Sequence, residues 1–469
     1  MLAQVKSCAI IGLEGAVVEV EVDISRGLPA FYIVGLPDTA VQESKERVRG
    51  AIRNSGCDFP MTRISVNLAP ADLRKEGPAY DLPIAVSVLM ASGQISADVS
   101  DTLLLGELSL DGSLRHTAGI LPMVSIGLDH GFKRVVVPEP DSQEAALVEG
   151  IEVLGLRNLA QLVSHLRGEE IMEPVQRQPI PHGTEGIAGV IDLASLPGIL
   201  PPLDSTEALE VTKIYSIAGM LPAGTPLITQ RPFRAPHYTI STAGLVGGGR
   251  WPRPGEVTLS HRGVLFLDEL PEFGQTTLEV LRQPLEDRIV TISRAQGTVT
   301  FPANYMFVAA MNPCPCGFNG DPYKQCSCHP AAVSRYQKRI SGPLLDRIDL
   351  FVQVPRVDYQ KLLDDSRAEP SSAVRLRVQE ARQRQRRRFI GTPARCNADM
   401  SPVDTREHSK LDDGAMGLVQ TAMRQFHLSA RAFHRILKLS RTIADLAGSD
   451  AIATAHTAEA LQYRARGLG

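Results

Sequence analysis

An α/β multidomain fold is what this chain of 469 residues predicts, and three observations carry the prediction. Through the middle of the chain, apolar strand-like runs alternate with helical stretches, the pattern of a layered unit with a parallel sheet. The first third mixes period-two strands with amphipathic helices, an α+β pattern. The last quarter reads as mostly helical. At 43% hydrophobic and 22% charged the composition is that of a folded protein, which excludes global disorder. No run of about 18 apolar residues exists, so no membrane-spanning helix is expected.

Residues 1–168 form the first expected domain. Gly15 to Val22 (GAVVEVEV) alternates as a strand does, and Val41 to Gly56 reads as an amphipathic helix ended by glycine. RISVNLAPADL follows as strand and turn, then EGPAYDLPIAVSVLMASG as a turn and a buried helix. Asp111-Gly112 marks a hairpin turn, and HGFKRVVVPEPD a helix-to-strand step. Residues 169–187, with three prolines and two glycines, read as a linker. Residues 188–357 carry the strands GVLFLDEL, TVTFP and YMFVAAMN. Residues 358–469 carry the helices SAVRLRVQEARQRQRRRF and LSARAFHRILKLSRTIADLAG, the second ending at Gly448.

The chemistry concentrates in the third of these segments. In GVLFLDEL an apolar strand delivers two carboxylates to its C-terminal edge, where open α/β sheets bind their ligands. In a nucleotidase Asp268 would hold the magnesium shell and Glu269 would polarise the attacking water; a solvated acidic turn is the plain alternative. A second apolar strand ends at Asn312, an amide able to bond both a phosphate and a water. Arg347, between the acids of LLDRID, suits a finger reaching across a subunit interface or an ordinary surface ion pair. Cys314, Cys316, Cys326 and Cys328 form two Cys-x-Cys pairs on a loop. They offer four thiolates to a structural Zn²⁺, with His329 as a spare ligand.

The stretches APHYTISTAGLVGGG, RPGEVTLSHRGVLFLDELPEF, LEVLRQPLEDRIVTISRAQGTVTFPANYMFVAAMNPCPCG and SGPLLDRIDL resemble the ComM/YifB group of magnesium-chelatase-like AAA+ ATPases, over nearly the whole chain. The resemblance implies a Lon-protease-like, ribosomal-S5-like first domain, a P-loop AAA+ αβα core and a C-terminal helical lid. It implies ATP and Mg²⁺ as cofactors, and hexameric DNA branch-migration helicase activity in recombination and natural transformation. By it Asp268 and Glu269 fall on Walker B, Asn312 on sensor 1 and Arg347 on the arginine finger. Arg431 falls on sensor 2, with Arg435 as runner-up. Glu286 to Phe301 would be a hairpin before sensor 1, and Phe233 to Ser260 would hold a second pore insertion, bringing Arg234, Arg250 and Arg253 to DNA phosphates.

One departure dominates. A P-loop needs Gly-x-x-x-x-Gly-Lys-Ser/Thr, because backbone N–H groups cradle the phosphates and the lysine reaches them. The chain contains no Gly-Lys pair. GIAGVIDLASLPGILPPL runs straight from the linker to the helix expected after that loop, so the first core strand and the phosphate loop are absent, leaving a truncated core with unpaired sheet edges.

Residues 371–469 hold 17 Lys+Arg against 9 Asp+Glu in a chain of net charge −3. Within them QRQRRRF makes Arg384, Arg386 and Arg387 candidate phosphate contacts; a solvated helix face is the alternative. Gly77-Pro78 is followed by Ala79, so the Lon-like domain has no serine nucleophile there, and Lys75 reads as a surface or DNA-contacting cation. The resulting expectation is a cytoplasmic ring subunit acting on single-stranded or branched DNA, homo-oligomeric or mixed with an intact relative. A non-hydrolysing DNA-binding or ring-assembly subunit and a magnesium-chelatase-type remodeller stand as alternatives.

Overall fold

The computed structural model describes residues 2–71, 73, 75, 77–178, 193–222, 224–249, 252–294, 297–354, 369–425 and 428–464. Part of the linker, the junction at 189–192, Arg250 and the boundary at 357–358 lie outside the described residues. The architecture is mixed α/β, and among the described residues no helix is long and apolar enough to cross a membrane.

The first region is built on a seven-stranded mixed sheet. Its strands are β1 (Leu2–Ile11), β2 (Glu14–Ser25), β3 (Ala30–Val34), β4 (Arg63–Ala69), β5 (Thr102–Leu104), β6 (Arg134–Pro138) and β7 (Glu152–Leu156), ordered β3-β4-β2-β1-β5-β6-β7. Strands β1 and β2 form a long antiparallel hairpin with Val5 opposite Val20 and Ser7 opposite Val18. Alternate residues of β2 (Val18, Val20 and Val22) are fully buried, as a half-buried strand requires. Against them pack α1 (Thr39–Asn54), capped by Asp38 through Val41 N–H, and α2 (Asp81–Ala91), which is apolar on nearly every side and buried on nearly every side.

The middle region holds a shorter sheet. Strands β8 (Phe233–Arg234), β9 (Val264–Leu267) and β10 (Met306–Ala309) lie side by side in that order, all parallel. The strands Ile289–Arg294 and Gly297–Pro302 form a separate hairpin whose inner residues Val290, Ile292 and Phe301 join the core under β9. Among the described residues β10 has no strand on its far side. Met306 is 42% exposed, and the extended segment of Leu350, Val352 and Val354 nearby is exposed as well.

Two contacts seat the regions on each other. The turn between β1 and β2 meets the middle hairpin at Gly12 (φ +65°), where a Cβ would stand 2.4 Å from Val299 Cγ1. Leu121 of α3 (Ile120–Asp129) and Leu147 pack with Ala208 of α4 (Ser205–Ile217), and Ser216 donates to Glu144 at 2.5 Å. The C-terminal helices are α5 (Ser371–Arg388), α6 (Asp413–Gln425), α7 (Ala430–Leu446) and α8 (Thr454–Gln462). The apolar stripe of α7, with Ile436 and Ile443, buries against Val419 of α6 and Ala460 of α8.

Candidate functional site

The site grows from the tip of β9. Its buried residues Val264, Leu265 and Leu267 fix the strand, and Leu267 pairs with Ala309 of β10. Asp268 and Glu269 leave that tip exposed, with Asp268 Oδ1 accepting from Glu269 N–H at 2.8 Å. Glu269 stands in the left-handed region, φ +51°, ψ +46°. A non-glycine residue held there costs about 1–2 kcal/mol, a local strain that clusters at functional turns. The ladder continues past the strands: Ala310 N–H donates to Leu267 O and Leu270 N–H to Ala310 O, each at 3.0 Å. Asn312 therefore emerges from the neighbouring strand two residues beyond the last of these bonds, also exposed.

A partly buried charge cluster at the opposite, N-terminal end of β9 ties that strand to α4. His261 accepts from Asn304 N–H at Nδ1 (3.1 Å), so its Nε2 carries the proton and donates to Glu210 at 3.2 Å. Arg262 donates to the same carboxylate at 2.8 Å. The His261 hydrogen bond, with Arg262, drops the Glu210 pKa to about 2, while burial lowers that of His261 and keeps it neutral. One turn earlier Glu207 pairs with Arg231 at 2.8 Å. No motif marks this cluster, since Glu210 and His261 stand 51 residues apart in the chain.

Beside the tip lies a cavity of about 3220 Å³, at least threefold larger than an ordinary ligand pocket of about 300–1,000 Å³. It takes in β10, Asn312, Leu345, the segment Arg347–Val354, Arg431 and Arg435, but neither Asp268 nor Glu269. Arg347 and Arg431 meet on one carboxylate: both donate to Glu286, Arg431 at 2.9 Å. Arg435 pairs instead with Asp349 at 3.5 Å. Glu286 is the residue that sequence reasoning did not single out as a partner for them. A triphosphate does not fit these residues: acids and basic groups stand around a void, with no glycine-lysine loop to grip the phosphates.

The four loop cysteines converge, with Sγ atoms of Cys314, Cys316, Cys326 and Cys328 all within 4.8 Å of one another. Backbone N–H of Phe318, then of Ser327, point at Cys316 and lower its thiol to a pKa of about 5. His329 is not among them. Its ring accepts from Ala331 N–H and caps the helix Pro330–Gln337.

Several predicted phosphate contacts have internal work. Arg234 is tied to Glu256 by two hydrogen bonds, the longer 2.7 Å. Arg384 faces Asp450 at 3.4 Å; Arg386 faces Asp204 at 3.7 Å yet is itself exposed, as are Arg253 and Arg387. The same helix spends Arg388 on Asp445, through bonds of 2.6 and 2.8 Å. Lys75 overturns its surface reading: it is fully buried, and its ammonium donates to Leu73 O at 2.6 Å and to Pro70 O. A lone lysine beside no nucleophile reads as a surface or DNA-contacting cation; the turn carbonyls that replace its water are set only by the fold.

Profiles described as magnesium chelatase subunit ChlI match residues 181–362, as subunit ChlI of Mg-chelatase residues 20–141, and as the ChlI C-terminal part residues 368–464. The chain is 37% identical to competence protein ComM of Haemophilus influenzae over 505 aligned residues, 99% of this chain and 97% of ComM. It is 38% identical to the uncharacterized protein YifB of Escherichia coli over 501, again 99% and 97%. A weaker likeness, 24% over 138 residues, joins 29% of this chain to 24% of Lon protease 2 of Bacillus subtilis. The YifB alignment is 32 positions longer than the 469-residue chain, so YifB carries at least that many residues with no counterpart here.

Proposed function

The chain belongs to the ComM/YifB-type magnesium-chelatase-like family, and we propose that within it the protein is an AAA+ ring subunit acting on DNA, whose own nucleotide site is incomplete. The observation that carries this reading is the open flank of β10. A strand tip bearing Asp268, Glu269 and Asn312 stands intact next to a void, in a chain with no Gly-Lys and at least 32 residues fewer than its relative. Residues 1–168 serve in this reading as a Lon-like scaffold or binding domain, 188–357 as the core and 358–469 as the lid. ATP and Mg²⁺ are then bound by an intact relative in a mixed ring, to which Arg347 is offered across the interface. The DNA assignment, including branch migration in competence and recombination, rests on the likeness to ComM, and exposed Arg253 and Arg387 are its contacts here.

The test pairs the purified chain with such an intact relative. ATP turnover and branch migration of a four-way DNA junction are measured for each alone and for the mixture, with particle mass followed in solution. The expected outcome is no turnover by the chain alone, and co-assembly that changes the relative's rate on the junction. Tight ATP binding by the chain alone, or failure to associate with both relative and DNA, would overturn the reading.

A further inference from the structure

We infer that Cys314, Cys316, Cys326 and Cys328 are the complete ligand set of one structural zinc ion, which serves as the core of the loop leaving Asn312. The inference stands independently of the DNA reading.

Geometry separates the chemical options. The printed Sγ···Sγ separations are 3.4 Å (Cys314–Cys316), 3.5 Å (Cys316–Cys326) and 3.7 Å (Cys314–Cys326), and the fourth sulfur lies within 4.8 Å of each. A disulfide needs about 2.05 Å, so none of these pairs is bonded. A tetrahedron of thiolates about 2.3 Å from a zinc ion has edges of roughly 3.8 Å, close to the separations found. An iron–sulfur cluster distributes its ligands over separate irons and needs them further apart. Tight Cys-x-Cys spacing is an unusual zinc signature in sequence, yet the fold brings both pairs to one point.

The surroundings say why the loop needs such an ion. Residues 313–329 contain no helix and no strand, a span longer than the roughly 12–15 residues that irregular loops usually reach without a function or a constraint. Across that span Cys314 is the single buried residue. No apolar core is available to order it, and four unmetallated thiols facing one another contribute little. Small elements that cannot bury a core are characteristically held by a metal or by disulfides.

The loop's two ends also give the ion a place to act. Cys314 and Cys316 follow Asn312 directly, while Cys326 and Cys328 precede the helix Pro330–Gln337. That helix returns to the strand tip, where Gln337 Nε2 donates to Pro313 O at 3.1 Å and Tyr336 is buried. A zinc ion joining both ends closes a clamp around the amide of Asn312, which makes the cysteines positioning residues for that tip.

The experiment uses the full chain, purified without a metal-chelating tag. Elemental analysis after gel filtration is expected to find one zinc per chain, lost in a Cys326→Ser/Cys328→Ser variant and retained in a Cys396→Ser control. Because the double variant can misfold, a second arm works on the wild-type chain. Titration with an organomercurial is expected to release zinc to a chromogenic chelator. Hydrogen exchange over 312–330 is then expected to rise at least tenfold, to be restored once excess dithiothreitol has stripped the mercurial and been removed and zinc chloride is added, and to stay unchanged in the β1–β2 hairpin. Absence of bound metal, iron with a visible thiolate charge-transfer band, zinc retained by the double variant, or exchange indifferent to zinc release would each overturn the proposal.

Discussion

The N-terminal sheet and the middle sheet are built from similar apolar strands, yet among the described residues one is covered on both flanks of its core strands and the other is open beside β10. In the first, seven strands close over a core whose members, among them Val20, Leu82 and Ile84, are fully buried. In the second, among the described residues, two strands flank β9 but leave β10 partly wet beside a 3220 Å³ void. The acids at the β9 tip are nonetheless placed, because two neighbours are enough to fix a strand. Fixing a pair of acids at a strand tip therefore does not require the far flank of the sheet to be closed.

The sharpest way to break the contrast is to fill the void. Inserting a strand and a Gly-Lys-bearing loop ahead of Leu193 is expected to tighten ATP binding on the order of a thousandfold, about 4 kcal/mol, in a fluorescent-nucleotide titration. No change would show that the open flank is not what limits binding.

Next in size are the packing and charge terms. Leu82→Ala in the closed sheet is expected to cost about 3 kcal/mol in urea unfolding, against less than about 1 kcal/mol for Met306→Ala on the open flank. Asp445→Ala strands Arg388 and Arg441, both paired with it at 3.0 Å or less, and is expected to cost about 3 kcal/mol. Arg387→Ala on the exposed face of the same helix α5 is expected to stay within about 0.5 kcal/mol, while reducing the salt dependence of DNA binding.

The smallest effect is electrostatic. Glu210, with its pKa lowered to about 2, contributes stability that is full above the ordinary carboxylate range. That contribution is lost as pH falls from about 4.5 toward 2. Glu210→Gln is expected to flatten that limb of a stability–pH profile by about 1 kcal/mol, the partly exposed pair being screened. An unchanged slope would mean that the cluster joining α4 to β9 is not a charge anchor.

Much of this was legible in the chain. The strand Val264–Leu267, the hairpin turn at Asp111-Gly112 and the helix ended by Gly448 follow from period, turn chemistry and a left-handed glycine. The strand Leu2–Ile11 carries no such local signal, because most of its order comes from pairing with β2 and β5. The arginines were the hardest to sort: Arg234, Arg388 and Arg387 look alike in sequence and differ only in whether Glu256, Asp445 or solvent faces them.

Residue identity and local spacing alone determined the acids after an apolar strand, the two Cys-x-Cys pairs and the want of a glycine-lysine turn. Those are properties of neighbours in the chain, where geometry is set within a few bonds. That Arg347 and Arg431 share Glu286, that Lys75 is enclosed by carbonyls and that four sulfurs close on a single point were decided by the tertiary structure. Charge pairing and metal ligation depend on distance through space, which the fold sets and the order of residues does not state.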